Sequence, residues 1–521
     1  MTPPHGYSTA VGAKHRFNAS EESLEIFVEE HEFLLQRQDE DTEEDREVED
    51  HSPLRQHFTL LGLGYLSLVC LKLYPGMFNT ILSQILESIL CRQYHDTSDP
   101  SLDPRCKDET VQGELSMLLS MRATFELLPT VVFSIPYGIA ADMYGRKPVI
   151  ILATMGCVLY GILNLVICWY PGIFPLHLFW AVPIVYIVGG GPLVPVMMIY
   201  AMASDVVPES RRSGVFIVLS TGLVFGTLLS GPATYYLMPK GEWNAIYISV
   251  WFQVLGVIIT CFLPETLTTR KEQSDTNTPR GRHSTTSTLR SKSQELLVKL
   301  FTSLRQIFSS DTTVTLFVVS LLFIDVGEDI ASIITKQYAA KRFQLTWPEA
   351  GVITSMKSIA QLVLCLVVLP FAQKLMRQHR VSAIRQDARI ARTCLIILLI
   401  AYFMAGLADS LVVFITAIVM SAVNFCLNPA LRSLLLTMAH NAGAGTVLSA
   451  VEALNAMSAV VAGPLMAEGF RLGISWGGKW IGLHWFLAML ILLPGAVIVI
   501  CIRFDDFERR RSLRVDEDDD L

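Results

Sequence analysis

Twelve apolar runs, most of them roughly 18–28 residues long, dominate this chain, and each is long enough to cross the hydrocarbon core of a bilayer. In hydrocarbon every backbone amide needs an internal partner, so uninterrupted apolar runs of this length are read as helices. They lie at about 57–88, 114–141, 148–170, 176–203, 212–237 and 243–263, then near 312–338, 350–374, 390–407, 410–436, 445–468 and 480–502. Only 17% of the 521 residues are charged, where a soluble domain carries about a quarter. The expected fold class is therefore an all-α membrane protein with twelve transmembrane helices in two six-helix bundles, 57–263 and 312–502. The break at 264–311, rich in Ser, Thr, Arg and Lys, is expected to be a cytosolic linker.

The net charge of −7 is set by the tails. Residues 1–56 carry an acidic stretch from Glu21 to Asp50 and are expected to form a disordered cytosolic tail, with 503–521 as a second one. There is no cleavable signal peptide pattern. Leu34 and Leu35 resemble an acidic dileucine sorting signal. Basic residues in short loops (Arg146 and Lys147, Arg211 and Arg212, Lys374 to Arg392) fall on one side if the helices alternate. By the positive-inside rule both termini are then cytosolic, and the sequon Asn18-Ala19-Ser20 is expected to be unused. The ten cysteines form no metal-binding spacing. Cys91 and Cys106 share a polar loop, where a disulfide or two free thiols are both chemically allowed.

Between the second and third runs lies Gly138-Ile139-Ala140-Ala141-Asp142-Met143-Tyr144-Gly145-Arg146-Lys147. The glycines allow a sharp turn and close helix approach, and Asp142 can pair with a cation. The stretch resembles the G-x-L-A-D-R-x-G-R-K signature of the major facilitator superfamily, with Gly138, Asp142, Gly145, Arg146 and Lys147 matching and Met143 replacing a basic residue. The equivalent stretch of the second half, Phe371 to Arg377, keeps basic charge but lacks the Gly and Asp. Asp205-Val206-Val207-Pro208-Glu209 with Arg212 is similar to that superfamily's helix 4–5 loop, and Pro264-Glu265-Thr266 to its P-E-T ending. Gly222, Gly226, Gly231 and Pro232 resemble the glycine–proline motif of drug/proton antiporters, with one residue too many between Gly226 and Gly231. The resemblance implies a secondary transporter working by alternating access, with the 138–147 hairpin as a conformational latch. It implies a small-molecule substrate, protons as coupling ion, a single functional chain, no cofactor and no catalysis.

Ionisable and amide side chains inside membrane helices are costly and by default face a cavity or a partner. Arg122 and Glu126 share a face of the second helix, as a static pair or as a proton site. Asp325, Glu328 and Asp329 cluster on the seventh. Three carboxylates there cannot all stay ionised without cations, for which Arg122, Lys336, Lys357 and Arg432 are candidates. They act as a proton-coupling or gating site, or as an inter-helix network holding the halves together. Glu452 joins this set. Asn79, Gln84, Asn424, Asn428 and Asn455 are expected substrate-cavity residues, with plain helix-to-helix hydrogen bonding as the alternative. Gly189-Gly190-Gly191-Pro192 gives the fourth helix a smooth, bendable wall, and that helix lacks the arginine of the superfamily's antiporter motif.

No nucleotide-binding fingerprint is present, which argues against an ATP-driven pump. Long polar tails, the P-E-T ending and the Ser/Thr-rich linker look like fungal facilitators. The expectation is proton-coupled efflux of a hydrophobic small molecule such as a drug or secondary metabolite. Proton-coupled uptake of a nutrient or organic anion is the alternative, and a non-transporting sensor a third. The plasma membrane is the expected location, with the vacuolar membrane second. No nucleic acid partner is expected.

Overall fold

The computed structural model describes residues 51–95, 103–207, 209–266, 312–379, 381–438 and 444–502. Residues 1–50 of the N-terminal tail, with its sequon and dileucine, residues 267–311 of the linker and the C-terminal tail lie outside the described residues. The molecule divides after Leu60, and the helical body belongs to the unit from Leu61 onward.

Among the described residues the chain is helical with no strand. The first half runs α1 (His51–His95), α2 (Glu109–Tyr144), α3 (Arg146–Trp169), α4 (Val194–Val206), α5 (Glu209–Leu237) and α6 (Glu242–Cys261). The second runs α7 (Thr312–Ile333), α8 (Trp347–Val363), α9 (Ala383–Leu407), α10 (Leu411–Met420), α11 (Ala444–Trp476) and α12 (Leu483–Cys501). Three of these continue after a local break. A short helix Thr335–Arg342 follows α7, a π-turn and helix Leu369–Gln378 follow α8, and helix Asn424–Met438 follows α10. Nine helices among the described residues are long and apolar enough to cross a membrane. Several extend past their predicted ends because polar residues continue the helix beyond the apolar run. Residues 109–113, for example, form the first turns of α2.

The fourth predicted helix is not continuous. Residues 176–187 form two 3₁₀ turns, and the α-helix begins only at Val194. The cause is Gly189, Gly190 and Gly191, with φ of 97°, 82° and 100°, a backbone that side chains with a Cβ resist. Space forbids a side chain as well, since a Cβ on Gly190 would stand 2.7 Å from the Tyr137 ring. The break is held by Tyr137, whose hydroxyl donates to the Ile187 carbonyl (2.9 Å) and accepts from the Gly189 amide (2.8 Å).

Each half has its own apolar core. One is built on Met77, Phe78, Ile81, Leu82 and Phe179, the other on Phe317, Ile324, Leu395, Phe414 and Trp485. Trp347, the first residue of α8, is buried in the first half's core. The main seams between halves pair α2 with α11 and α5 with α8. Gly231 meets Gly351 across the second seam, where a Cβ would collide with the Gly351 carbonyl. Gly222 and Gly226 instead pack on α1, at Tyr65 and Lys72. The antiporter-like glycines thus serve close helix packing.

Because successive helices alternate in direction, residues 103–108 and loops 170–175 and 343–346 share one end of the body. The turn at Gly145 and residues 264–266 share the other. These are called the disulfide end and the hairpin end below.

Candidate functional site

At the hairpin end three separate sequence motifs meet. Gly145 turns the chain from α2 into α3 with φ of 116°. The buried Arg146 side chain pairs with Asp142 (2.8 Å) and, through Nε, with the buried Asp205 at the end of α4 (3.2 Å). Thr266 Oγ1 donates to Asp205 at 3.1 Å. The Glu265 carboxylate accepts from the backbone amides of Arg146 (2.9 Å) and Lys147 (3.0 Å). It thereby satisfies two exposed donors at the N-terminus of α3 and places an anion where the helix dipole favours one. One carboxylate on each of α2 and α4, and one after α6, are bound to two consecutive residues. Pro208 and the side chains of Glu209 to Arg212 lie outside the described residues.

In the first half's interior, Arg122 is the hub. Its Nε donates to the Tyr160 hydroxyl (2.8 Å) and its Nη2 to Asn79 Oδ1 (2.9 Å). The Tyr160 hydroxyl donates in turn to Glu126 Oε2 at 3.1 Å. Arg122 and Glu126 are 3.9 Å apart, so Tyr160 bridges a pair that sequence spacing alone would set in direct contact. Tyr160 stacks on Tyr186 with ring centres 4.6 Å apart. Lys72 on α1 stands within electrostatic reach of Glu126. Gln84 donates to Glu242 at the start of α6.

The α7 carboxylates do not act as one face. Glu328 accepts from Asn424 in the continuation of α10, while Asp329 accepts from Ser458 of α11 at 2.9 Å. Consecutive helical residues diverge by about 100°, which sends the two acids to different neighbours. Asp325 is buried. Lys357 on α8 is within electrostatic reach of Glu328. Lys336, a candidate cation for these acids, turns instead to the first half, donating to Thr80 Oγ1 (2.6 Å) and the Gly76 carbonyl (3.3 Å). Asn428, Arg432 and Asn455 are half-buried. The Glu452 side chain lies outside the described ones.

At the disulfide end the halves are bonded to each other. Glu87 on α1 accepts from Trp347 Nε1 (2.7 Å) of α8 and also from Lys107 Nζ (2.7 Å) and Gln112. Gln337 Nε2 donates to the Gln112 carbonyl at 2.9 Å, and Lys341 to the carbonyl of Lys107. Burial holds the Lys341 ammonium below its ordinary range. Cys91 and Cys106 are joined by a disulfide, with Cα atoms 5.1 Å apart, so the loop carrying Lys107 is covalently anchored beside Glu87. Asp103 and Arg105, in the same loop, pair at 2.7 Å.

Sequence reasoning missed Lys72, Glu87 and Tyr160. Lys72 sits within the first apolar run, so the rule applied to other intramembrane charges would have found it. The Glu87–Trp347 bond joins residues 260 apart and leaves no local signal.

The model of the Major Facilitator Superfamily matches residues 76–464. The chain is 27% identical to the MFS efflux pump atnC of Emericella nidulans, over 83% of this chain and 85% of that one. It is 26% identical to the efflux pump ustT of Aspergillus flavus, over 76% and 78%. In fold it is similar to a D-xylose–proton symporter, with a TM-score of 0.57 and 14% identity, covering 85% of this chain and 97% of that one. The human organic anion transporter MFSD10 gives a TM-score of 0.56 and 15% identity, covering 85% and 99%. Twelve helices in two halves, the hairpin network and a family match across most of the chain lead to one conclusion: the chain belongs to the Major Facilitator Superfamily and is a non-enzymatic membrane carrier.

Proposed function

We propose that this carrier exports a hydrophobic small molecule, such as a drug or secondary metabolite, in exchange for protons. Export is supported by relatives across most of its length that are named efflux pumps. The observation that carries the coupling is the set of membrane-embedded carboxylates tied to neutral donors: Glu126 by Tyr160, Glu328 by Asn424, Asp329 by Ser458. A carboxylate held by a neutral group can take up a proton without breaking a close ion pair, and it feels the arrival or departure of a nearby cation. Lys72 beside Glu126 and Lys357 beside Glu328 are such cations.

The cycle is alternating access, with the halves rocking about a central site. Cross-half bonds at the disulfide end support a state closed on that side. Basic loops at the hairpin end and the disulfide at the other support a cytosolic hairpin end with both termini inside. The plasma membrane and a single functional chain complete the reading.

The test is proton flux in proteoliposomes against a panel of apolar metabolites, wild type beside Glu126→Gln, Glu328→Gln and Asp329→Asn. Substrate-dependent proton movement that is lost in one of the variants supports the exchange and finds its acid. Substrate movement without proton movement in the wild type rejects coupling, and accumulation in the opposite direction rejects export.

A further inference from the structure

We propose that the hairpin joining α8 to α9 docks the headgroups of anionic phospholipids at the hairpin end, through Lys374 before the turn and Arg385 and Arg389 after it. This goes beyond the export reading and does not depend on it.

The two halves treat equivalent turns differently. In the first, positive charge is met from within the protein. Arg146 is buried against Asp142 and Asp205, and Glu265 accepts from the first amides of α3. In the second, residues 371–392 hold a single acid, Asp387. It is drawn inward, where it accepts from Ser433 Oγ at 2.6 Å. Lys374, Arg385 and Arg389 are exposed. The turn between them is compact: the Val381 amide donates to the Met376 carbonyl (3.1 Å) and Gln386 Nε2 to the Val381 carbonyl (2.7 Å). The first turn of α9 carries no acid, and its N-cap Ser382 makes no side-chain capping bond, so the helix dipole adds to the positive field.

The direction and depth of these cations fit a lipid headgroup. The exposed face of α9 carries Arg385, Arg389, Ile396, Ile400, Phe403 and Leu407, spaced by three, four or seven residues. The two arginines therefore continue the apolar stripe that this span turns to lipid. Counted back from Leu407, Arg389 stands about 27 Å and Arg385 about 33 Å along the helix, at the edge of a hydrocarbon core of about 30 Å. Lys374 lies about 40 Å from Trp347 along α8 and its continuation, and so projects beyond that core. Its neighbours Phe371 and Leu375 are exposed and apolar, which keeps this end of the helix against the bilayer while the ammonium reaches outward. Cations at this depth attract anionic lipids and gain nothing from neutral ones.

The experiment purifies the full chain from vesicles of equal parts phosphatidylserine and phosphatidylcholine and measures the retained lipid by native mass spectrometry. Phosphatidylserine is expected to be retained about ten-fold over phosphatidylcholine. That ratio should fall to about one when Lys374→Gln, Arg385→Gln and Arg389→Gln are combined. It should survive when Lys374→Arg, Arg385→Lys and Arg389→Lys are combined, and in Lys147→Gln of the first half's turn. If the combined Gln variant does not insert, Arg389→Gln alone is read instead and should lower the ratio several-fold. Equal retention of the two lipids by the wild type, as expected if the acidic stretch from Glu21 to Asp50 covers the surface, overturns the proposal. So does a ratio that survives the Gln variants, or one that Lys147→Gln also abolishes. None of these outcomes touches export, which the proteoliposome panel decides.

Discussion

At the disulfide end, Glu87 of the first half accepts from Trp347 of the second. At the hairpin end, Arg146 and Glu265 tie α3 to the ends of α2, α4 and α6 within one half. The bonds of the first arrangement join two halves, so on the alternating-access reading proposed above they would have to break for that end to open. The Arg146 and Glu265 bonds of the second lie within one half, so on the same reading they could persist through the cycle. Whether the hairpin network acts as a latch between the halves or as a brace within one is what the comparison puts to the test.

The comparison can be broken at four places. Arg146→Ala removes the cation that joins Asp142 and Asp205 in a buried network. The expected loss is about 3–5 kcal/mol, read as a lower melting temperature, with no change in distance between labels at exposed Tyr94 and Trp480 across the disulfide end. If that distance widens, the hairpin network is not confined to one half. Replacing Cys91 and Cys106 together by Ser opens a short covalent loop, worth about 3 kcal/mol on the chain-entropy account. The expected readout is a broader distance distribution between those labels, since Lys107 loses its anchor. Trp347→Phe deletes the donor to Glu87 and exchanges a buried bicyclic ring for a smaller one. It should shift the closed population by about 1–2 kcal/mol toward opening, and an unchanged inter-label distance beside a fall in melting would make Trp347 a packing residue only. Thr266→Val removes one bond to Asp205 and should cost about 1 kcal/mol in melting alone, with transport retained.

Much of the site was legible beforehand because lone charges in apolar runs announce themselves. Arg122, Glu126, Glu328 and Asp329 were found that way, and Asp142, Arg146, Asp205 and Glu265 by their motifs. What the sequence could not show was who bonds to whom. Glu328 and Asp329 stand next to each other in sequence yet turn to different helices. Lys336 was expected among the α7 acids and reaches Thr80 on α1 instead, because the register between helices of opposite halves is set by packing at the seams. The continuous fourth helix was a misreading of a visible clue: hydropathy runs through residues 176–203 unbroken, while three glycines in succession permit a backbone that hydropathy does not sense.

That glycine break also bears on how the protein is made. A span whose backbone is interrupted within an apolar run enters lipid with amide groups it cannot pair by itself, at several kcal/mol each. Here the missing partner for Ile187 and Gly189 is a phenol on α2, a helix that leaves the ribosome earlier. The fourth span is therefore suited to insert against protein already in the bilayer rather than against lipid.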